Sequence, residues 1–279
     1  MTRQELLAYA HRKRCDFMGC PIDALTMPET VEIVGLAIRN RIRLQHVVVN
    51  VAKLVSMQRD PGLASDVTTS DLINIDGMGV VWGARLLGRH VGERVAGIDL
   101  MESVLARAEV EGWRTYFLGA KPDVLDRAVQ NIRQRHPRLQ IAGFSHGYFA
   151  PGEEPGVAEA IEKARPDCLF VAISSPKKEQ FMHRWRDKVD VPFIMGVGGS
   201  IDVAAGIVRR APPWMQSNGL EWAHRLAQEP RRMWRRYLFT NLTYARLLTA
   251  EVLRRAVLRD RGRPDDGSGR RSARLPRRS

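Results

Sequence analysis

Short apolar runs rich in β-branched residues recur along the chain up to about residue 206, each followed by a stretch of helical periodicity. "HVVVNVA" (46–52), "LINID" (72–76), "RTYFLG" (114–119), "LQIAGFS" (139–145), "CLFVAIS" (168–174) and "VPFIMGVG" (191–198) read as strands. Between them, "KLVSMQRD", "GMGVVWGARLLG" and "KPDVLDRAVQNIRQRHP" read as helices. In the last, Val124, Leu125, Ala128, Val129 and Ile132 recur on one helical face. Nearly continuous apolar strands alternating with helices predict a parallel sheet covered on both faces, an α/β doubly wound, mostly parallel Rossmann-like architecture.

After "GGSIDVAAG" no further strand pattern follows. Residues 207–257 read as a helical appendage to an α/β domain of residues 1–206. Pro230 is expected to open a new helix, because proline suits a first turn and disrupts an interior. Trp234, Leu238, Leu242 and Ala245 then form one apolar stripe. Residues 258–279 have almost no apolar positions and are expected to be a disordered basic tail, either solubilising or tethered to a lipid surface.

In a parallel sheet, ligands bind outside the carboxyl ends of the strands. The residues that follow each strand are therefore the candidates: Asn50, Asp76-Gly77, Gly119-Ala120-Lys121, "HGYF" (146–149), "SSPKKE" (174–179) and "GVGGSID" (196–202). Glycines let a backbone approach a ligand, and a following helix N-terminus favours phosphate. One such loop is a weak signal, but several on one sheet edge favour a nucleotide site. By itself, Asp76 fits a catalytic base and a cap for the helix beginning near Gly77 equally well.

Composition adds a direction. With 279 residues, 44% hydrophobic and 27% charged, the chain is an ordinary globular protein, but its net charge of +13 attracts polyanions such as nucleic acid, anionic lipid or a phosphorylated substrate. No aromatic RNA-binding strand, helix-turn-helix signal or zinc ligand set accompanies the charge, which argues against nucleic acid. The first strand is followed by "NVAKLV", not a G-x-G-x-x-G fingerprint, which argues against a dinucleotide enzyme on the same scaffold. Cys15, Cys20 and Cys168 are expected to be free thiols in a reducing compartment. The amino terminus lacks the apolar core of a signal peptide, and no run approaches the ~20 apolar residues of a membrane span. A cytoplasmic protein, or one lying on the inner face of the membrane, is the expectation.

"INIDGMGVVWGARLLG", "RVAGIDLM", "YFLGAKPDV", "GFSHGYF", "SSPKKEQF" and "GVGGSIDVAAGIVRRAPPWMQSNGLEWAHRLAQEPRRMWRRYL" together, in order from about residue 46 to residue 240, resemble the WecG/TagA/CpsF glycosyltransferases. The resemblance implies an inverting transfer of a sugar from a UDP-sugar onto a polyprenyl-diphosphate-linked sugar, in bacterial wall polymer or exopolysaccharide synthesis. It implies that Asp76 removes the acceptor proton, with Asn50 at the donor sugar or its phosphate. Tyr148 and Asp202 align with residues that hold uridine. Gly119, Gly198, Gly199, Lys178 and Glu179 complete the strand-end substrate set, and Arg225, Arg232 and Arg235 match appendage arginines that meet the phosphates. Asp99 also fits the family pattern, with a helix cap as its expected role.

Two departures stand out. Val48 occupies the threonine position of the family's T-x-N, and Lys178 occupies a glutamine position, which together suggest a different donor sugar. No D-x-D metal motif is present in the sequence, so neither a metal nor another cofactor is expected, and cations and helix N-termini are left to stabilise departing UDP. Trp222, Trp234, Tyr237, Leu238 and Phe239, threaded among arginines, then suit an anionic membrane surface, the competing reading being that they pack against the α/β core or a neighbouring subunit.

Overall fold

The computed structural model describes residues 1–261, without the side chains of 151, 232, 256 and 258–261. Of the expected basic tail, 258–279, residues from 262 onward lie outside the described residues, and 258–261 belong to the last turn of a long helix that begins at Pro230. Helix α1 (Arg3–Ala10) leads into a hairpin of β1 (Arg14–Phe17) and β2 (Cys20–Asp23), then α2 (Met27–Arg39). The alternating body follows: β3 (Leu44–Val49), α3 (Val51–Met57), α4 (Pro61–Thr68), β4 (Leu72–Ile75), α5 (Met78–Leu86), α6 (Gly97–Glu111), β5 (Arg114–Gly119), α7 (Pro122–Arg135), β6 (Gln140–Ser145), α8 (Glu154–Ala164), β7 (Cys168–Ala172), α9 (Lys177–Trp185), β8 (Phe193–Gly196) and α10 (Ser200–Ala204). Three helices close the described chain: α11 (Pro213–Ser217), α12 (Glu221–Gln228) and α13 (Pro230–Arg261).

The six body strands form one sheet in the order β4-β3-β8-β7-β5-β6, every pair parallel. Strands β3, β4, β7 and β8 are buried at every position, as sandwiched strands must be. One apolar layer joins the sheet to α1, α2, α6, α7 and α10. The other joins it to the hairpin, α3, α4, α5, α8, α9 and the Tyr244 region of α13. The chain leaves β5 toward one edge and β7 toward the other, so these neighbours form a switch point at their carboxyl ends. There Gly119 has φ +134°, and a Cβ would lie 2.7 Å from Ala172 Cα. Only glycine allows the two backbones to approach so closely.

The β1–β2 hairpin was not foreseen in the sequence. It seals the outer edge of β4 through Asp23, whose buried carboxylate accepts from Arg14 Nε and Nη2, each at 2.7 Å, and from Ile73 N–H at 2.8 Å. A carboxylate thus takes the place of a neighbouring strand at that edge.

Among the described residues no strand follows β8, and α13 begins at Pro230 as the pattern requires. Its inner face, Met233, Tyr244, Leu247, Leu248 and Val252, lies against the α3–α5 side of the body. Tyr244 fits over the missing side chain of Gly83 and donates its hydroxyl to Gly79 O at 2.9 Å. Arg255 Nη1 donates to Leu87 O at 2.9 Å. The stripe of Trp234, Leu238, Leu242 and Ala245 faces away from the core, with Leu242 61% exposed. The helix is therefore apolar on two faces, one docked and one open.

Candidate active site

Register places two candidates side by side. Val49 of β3 pairs with Ile75 of β4, and Asp76 N–H donates to Val49 O at 2.8 Å, so Asn50 and Asp76 emerge together. A Cβ on Gly77 would sit 3.4 Å from Asn50 Cβ. Asn50 caps α3, its Oδ1 accepting from Lys53 N–H at 3.0 Å. Asp76 does not cap α5, whose N-cap is Gly77 without a side-chain bond. Its Oδ1 instead accepts from Gly97 N–H, the first residue of α6, at 3.0 Å. Burial raises the Asp76 carboxyl to a pKa of about 6, against the lowering pull of that N–H and of Arg94 and Lys53, while Glu221 adds to the rise. A half-buried carboxylate with a pKa just below neutrality is ionised at pH 7 yet basic enough to accept a proton.

Beneath the neighbouring strand ends lies a buried cluster. Glu179 is fully enclosed, its Oε1 2.7 Å from Lys53 Nζ and 3.5 Å from Lys178 Nζ, and its Oε2 has no hydrogen-bond partner. Although burial opposes ionisation, the two ammonium groups hold the Glu179 carboxyl down to about 2. Lys178 is 6% exposed, and burial together with Lys53 pushes it down to about 8 against the support of Glu179. Two ammonium groups share one carboxylate, leaving one positive charge uncompensated within the cluster.

That charge faces the glycine turn. Lys178 Cε lies 2.9 Å from where a Cβ on Gly196 would stand, and its Nζ lies 3.5 Å from the corresponding point on Gly198, which has φ +50°. On Gly199 the nearest atoms to such a Cβ are Arg225 Nη2 at 3.1 Å and Nη1 at 3.3 Å. The guanidinium of α12 thus covers the turn, its Nε buried without a hydrogen bond. Gly198 N–H donates to Val171 O at 3.4 Å and Ser200 N–H to Val197 O at 3.1 Å, so it is the ammonium and the guanidinium around this glycine turn that form an anion receptor.

The other candidates are scattered around this centre. Gly119 stands at the switch point, and Gly147 N–H donates to Ala120 O at 3.0 Å, drawing the 146–149 loop over it. Tyr148, in that loop, is 67% exposed. Asp202 lies in the first turn of α10, just after the glycine turn. Arg235 projects to the open face of α13, its guanidinium 5.2 Å from the Trp234 ring centroid, and does not join Arg225 at the turn. The side chain of Arg232 lies outside the described residues. Asp99 does not cap α6, whose N-cap is Ala96; it sits in the first turn and pairs with Arg210 at 2.5 Å.

Four side chains were missed in the sequence: Lys53, Arg94, Glu221 and Arg210. Lys53 carries a signal, a cation in the first turn of the helix that follows the first body strand. Arg94 and Glu221 are 127 residues apart and ion-paired, and no local pattern marks such a pair.

The family model for the WecG/TagA/CpsF glycosyl transferases matches residues 15–257, a span that includes the strand-end site and α12. The chain belongs to this family. An N-acetylglucosaminyldiphosphoundecaprenol N-acetyl-beta-D-mannosaminyltransferase of Bacillus spizizenii is 37% identical over 180 residues, covering 64% of this chain and 69% of that relative. The enzyme of the same name from Bacillus subtilis is 39% identical over 171 residues, covering 61% of this chain and 66% of the relative. The cluster below the turn is thus embedded in a glycosyltransferase fold, and its charge state is measurable. The unfolded chain holds the Lys178 proton to about 10.4, so between pH 8 and that value it binds more protons than the folded chain, and stability rises with pH. Urea unfolding at pH 7 and pH 10 is expected to show this rise in the wild type and its loss in Lys178→Met; equal pH dependence in both would contradict the assignment.

Proposed function

We propose that this family member transfers a sugar from a UDP-sugar onto a polyprenyl-diphosphate-linked sugar, inverting the anomeric carbon and using no metal or other cofactor. The observation that supports it most is the partly buried Asp76 carboxylate, of raised pKa, at the end of β4, on the same sheet edge as the glycine turn that Lys178 and Arg225 flank. The acceptor oxygen attacks the anomeric carbon while its proton passes to Asp76. The bond from that carbon to the diphosphate oxygen breaks, and UDP departs with the bonding pair. Its added negative charge develops beside the turn that the Lys178 and Arg225 cations already flank, so little reorganisation is needed. Asn50, whose Oδ1 is occupied by the α3 cap, keeps its amide N–H groups toward the donor.

The named activity of the Bacillus relatives supports an acceptor of lipid-linked N-acetylglucosamine type. The Lys178 ammonium, where the family carries a neutral amide, favours a donor other than UDP-N-acetylmannosamine. Catalysis on a lipid-linked acceptor requires approach to a membrane, here the inner face of the cell membrane. Among the described residues no helix is long and apolar enough to cross one. The open face of the appendage is suited to an anionic surface instead. Trp222, Trp234, Leu238, Phe239 and Leu242 are exposed, and Arg231, Arg235 and Arg236 are exposed among them. Rings and aliphatic groups enter the head-group boundary while guanidinium groups meet phosphate. The same apolar face, off the membrane, is able to pair subunits.

Asp76→Asn, assayed with a panel of UDP-sugars and a short-chain lipid-diphosphate sugar, is expected to lower kcat by about 10²- to 10⁴-fold, with UDP binding retained. Undiminished turnover would remove Asp76 from the base role. Paired Phe239→Glu and Leu242→Glu substitutions, both on the exposed face, are expected to weaken flotation with anionic liposomes by more than about tenfold. Unchanged flotation would show that this face does not dock.

A further inference from the structure

Glu221, at the start of α12, is joined to Arg94 in the loop between α5 and α6. Arg94 is mostly buried, its side chain 12% exposed, and Glu221 is 32% exposed. Val95 N–H donates to Ile75 O at 2.8 Å and Gly97 N–H to Asp76 Oδ1 at 3.0 Å, so the Arg94 loop is tied to the strand end that carries Asp76, yet among the described residues the ion pair of Arg94 is with Glu221. One guanidinium is thus held between a strand-end carboxylate and a carboxylate of the appendage. α12 also carries Arg225 over Gly199, one helical turn further along. Gly219, just before α12, has φ +66°, and a Cβ there would stand 2.7 Å from Met78 Cβ and 2.8 Å from Trp82 of α5. The start of α12 is therefore seated against α5 and the Arg94 loop together.

Resting on the glycosyltransferase reading, we infer that Glu221 is a positioning residue: by engaging Arg94, it seats α12 over the site and keeps that guanidinium from pairing with Asp76. The consequence is a link between appendage docking and the readiness of the base. With α12 seated, Asp76 faces Lys53 from α3, Arg94 from its loop, Glu221 from α12 and Lys178 from α9, and Arg94 is neutralised by Glu221. With Glu221 removed, Arg94 is free to turn toward the Asp76 carboxylate at the strand end its own loop is tied to. A full Arg–Asp pair lowers a carboxyl by about one unit or more and ties up the oxygens that must receive the proton.

The test follows the Asp76 carboxyl itself by carbon NMR, assigned with Asp76→Asn, in the full chain. In Glu221→Gln, whose site is partly exposed and accepts an isosteric amide, the Asp76 midpoint is expected to fall by about one unit. In an Arg94→Gln background the same Glu221→Gln change is expected to move it far less, because the guanidinium that transmits the effect is gone. Equal movement in both backgrounds would reduce Glu221 to a remote charge, and no movement in either would overturn the inference. Glu221→Asp, which keeps the charge on a shorter arm, is expected to restore most of the midpoint. The acidic limb of the kcat/KM profile is expected to follow the NMR midpoint downward in Glu221→Gln. If the midpoint falls and the limb stays, the Arg94 link stands and Asp76 is not the base; if the midpoint stays, the link fails whatever the activity.

Discussion

The site depends on an imbalance of buried charge. Glu179 is enclosed at the base of the strand-end crevice, and two lysines reach it from different helices, Lys53 on α3 and Lys178 on α9. Ammonium groups out of water are costly unless paired, and one carboxylate cannot fully satisfy two of them. The remainder emerges at the Gly198 turn, where the missing side chain leaves room for a ligand beside Lys178 Nζ. Arg225 covers the same turn from the appendage with no carboxylate partner of its own among the described residues. An anion placed there relieves both cations, which is the role proposed for the donor diphosphate.

The appendage answers the question raised by so many arginines among aromatic residues. Helix α13 uses Met233, Tyr244 and Leu248 to grip the body and turns Trp234, Leu238 and Leu242 outward. Trp222 and Tyr237 meet edge to face, with centroids 5.9 Å apart, so α12 and α13 brace each other. The two short and long helices then act as one plate. Its inner side delivers Arg225 and Glu221 to the strand ends, and its outer side presents apolar and cationic groups together.

Much of this fold was legible in the sequence, and the reason is burial. Strands sandwiched between helix layers are apolar at most positions, so β3, β4, β7 and β8 stood out as runs, and the edge strand β6 and its neighbour β5 were legible by the same alternation with helices. The hairpin was not visible because Arg14, Asp16, Pro21 and Asp23 interrupt its two four-residue strands, and its role is to pair Asp23 with a distant edge. Asp99 looked like a cap because it precedes a helical run, but α6 starts two residues earlier and the carboxylate serves Arg210 instead. The stripe on α13 was correctly periodic, yet periodicity does not say which of two apolar faces meets the core. Glu179 was expected among the substrate-binding residues; its side chain is fully buried and organises Lys53 and Lys178. Lys53, Arg94 and Glu221 act through contacts across the fold, which leave no local mark.

The central claim is that uncompensated positive charge at the Gly198–Gly199 turn receives the nucleotide diphosphate. Calorimetric titration of UDP into the wild type and Arg225→Gln tests it most directly, since it requires neither acceptor nor turnover. The account predicts binding that weakens by about 10- to 100-fold in the variant, the loss expected for a charge-assisted phosphate contact. Equal affinity for UDP in the two proteins would contradict it.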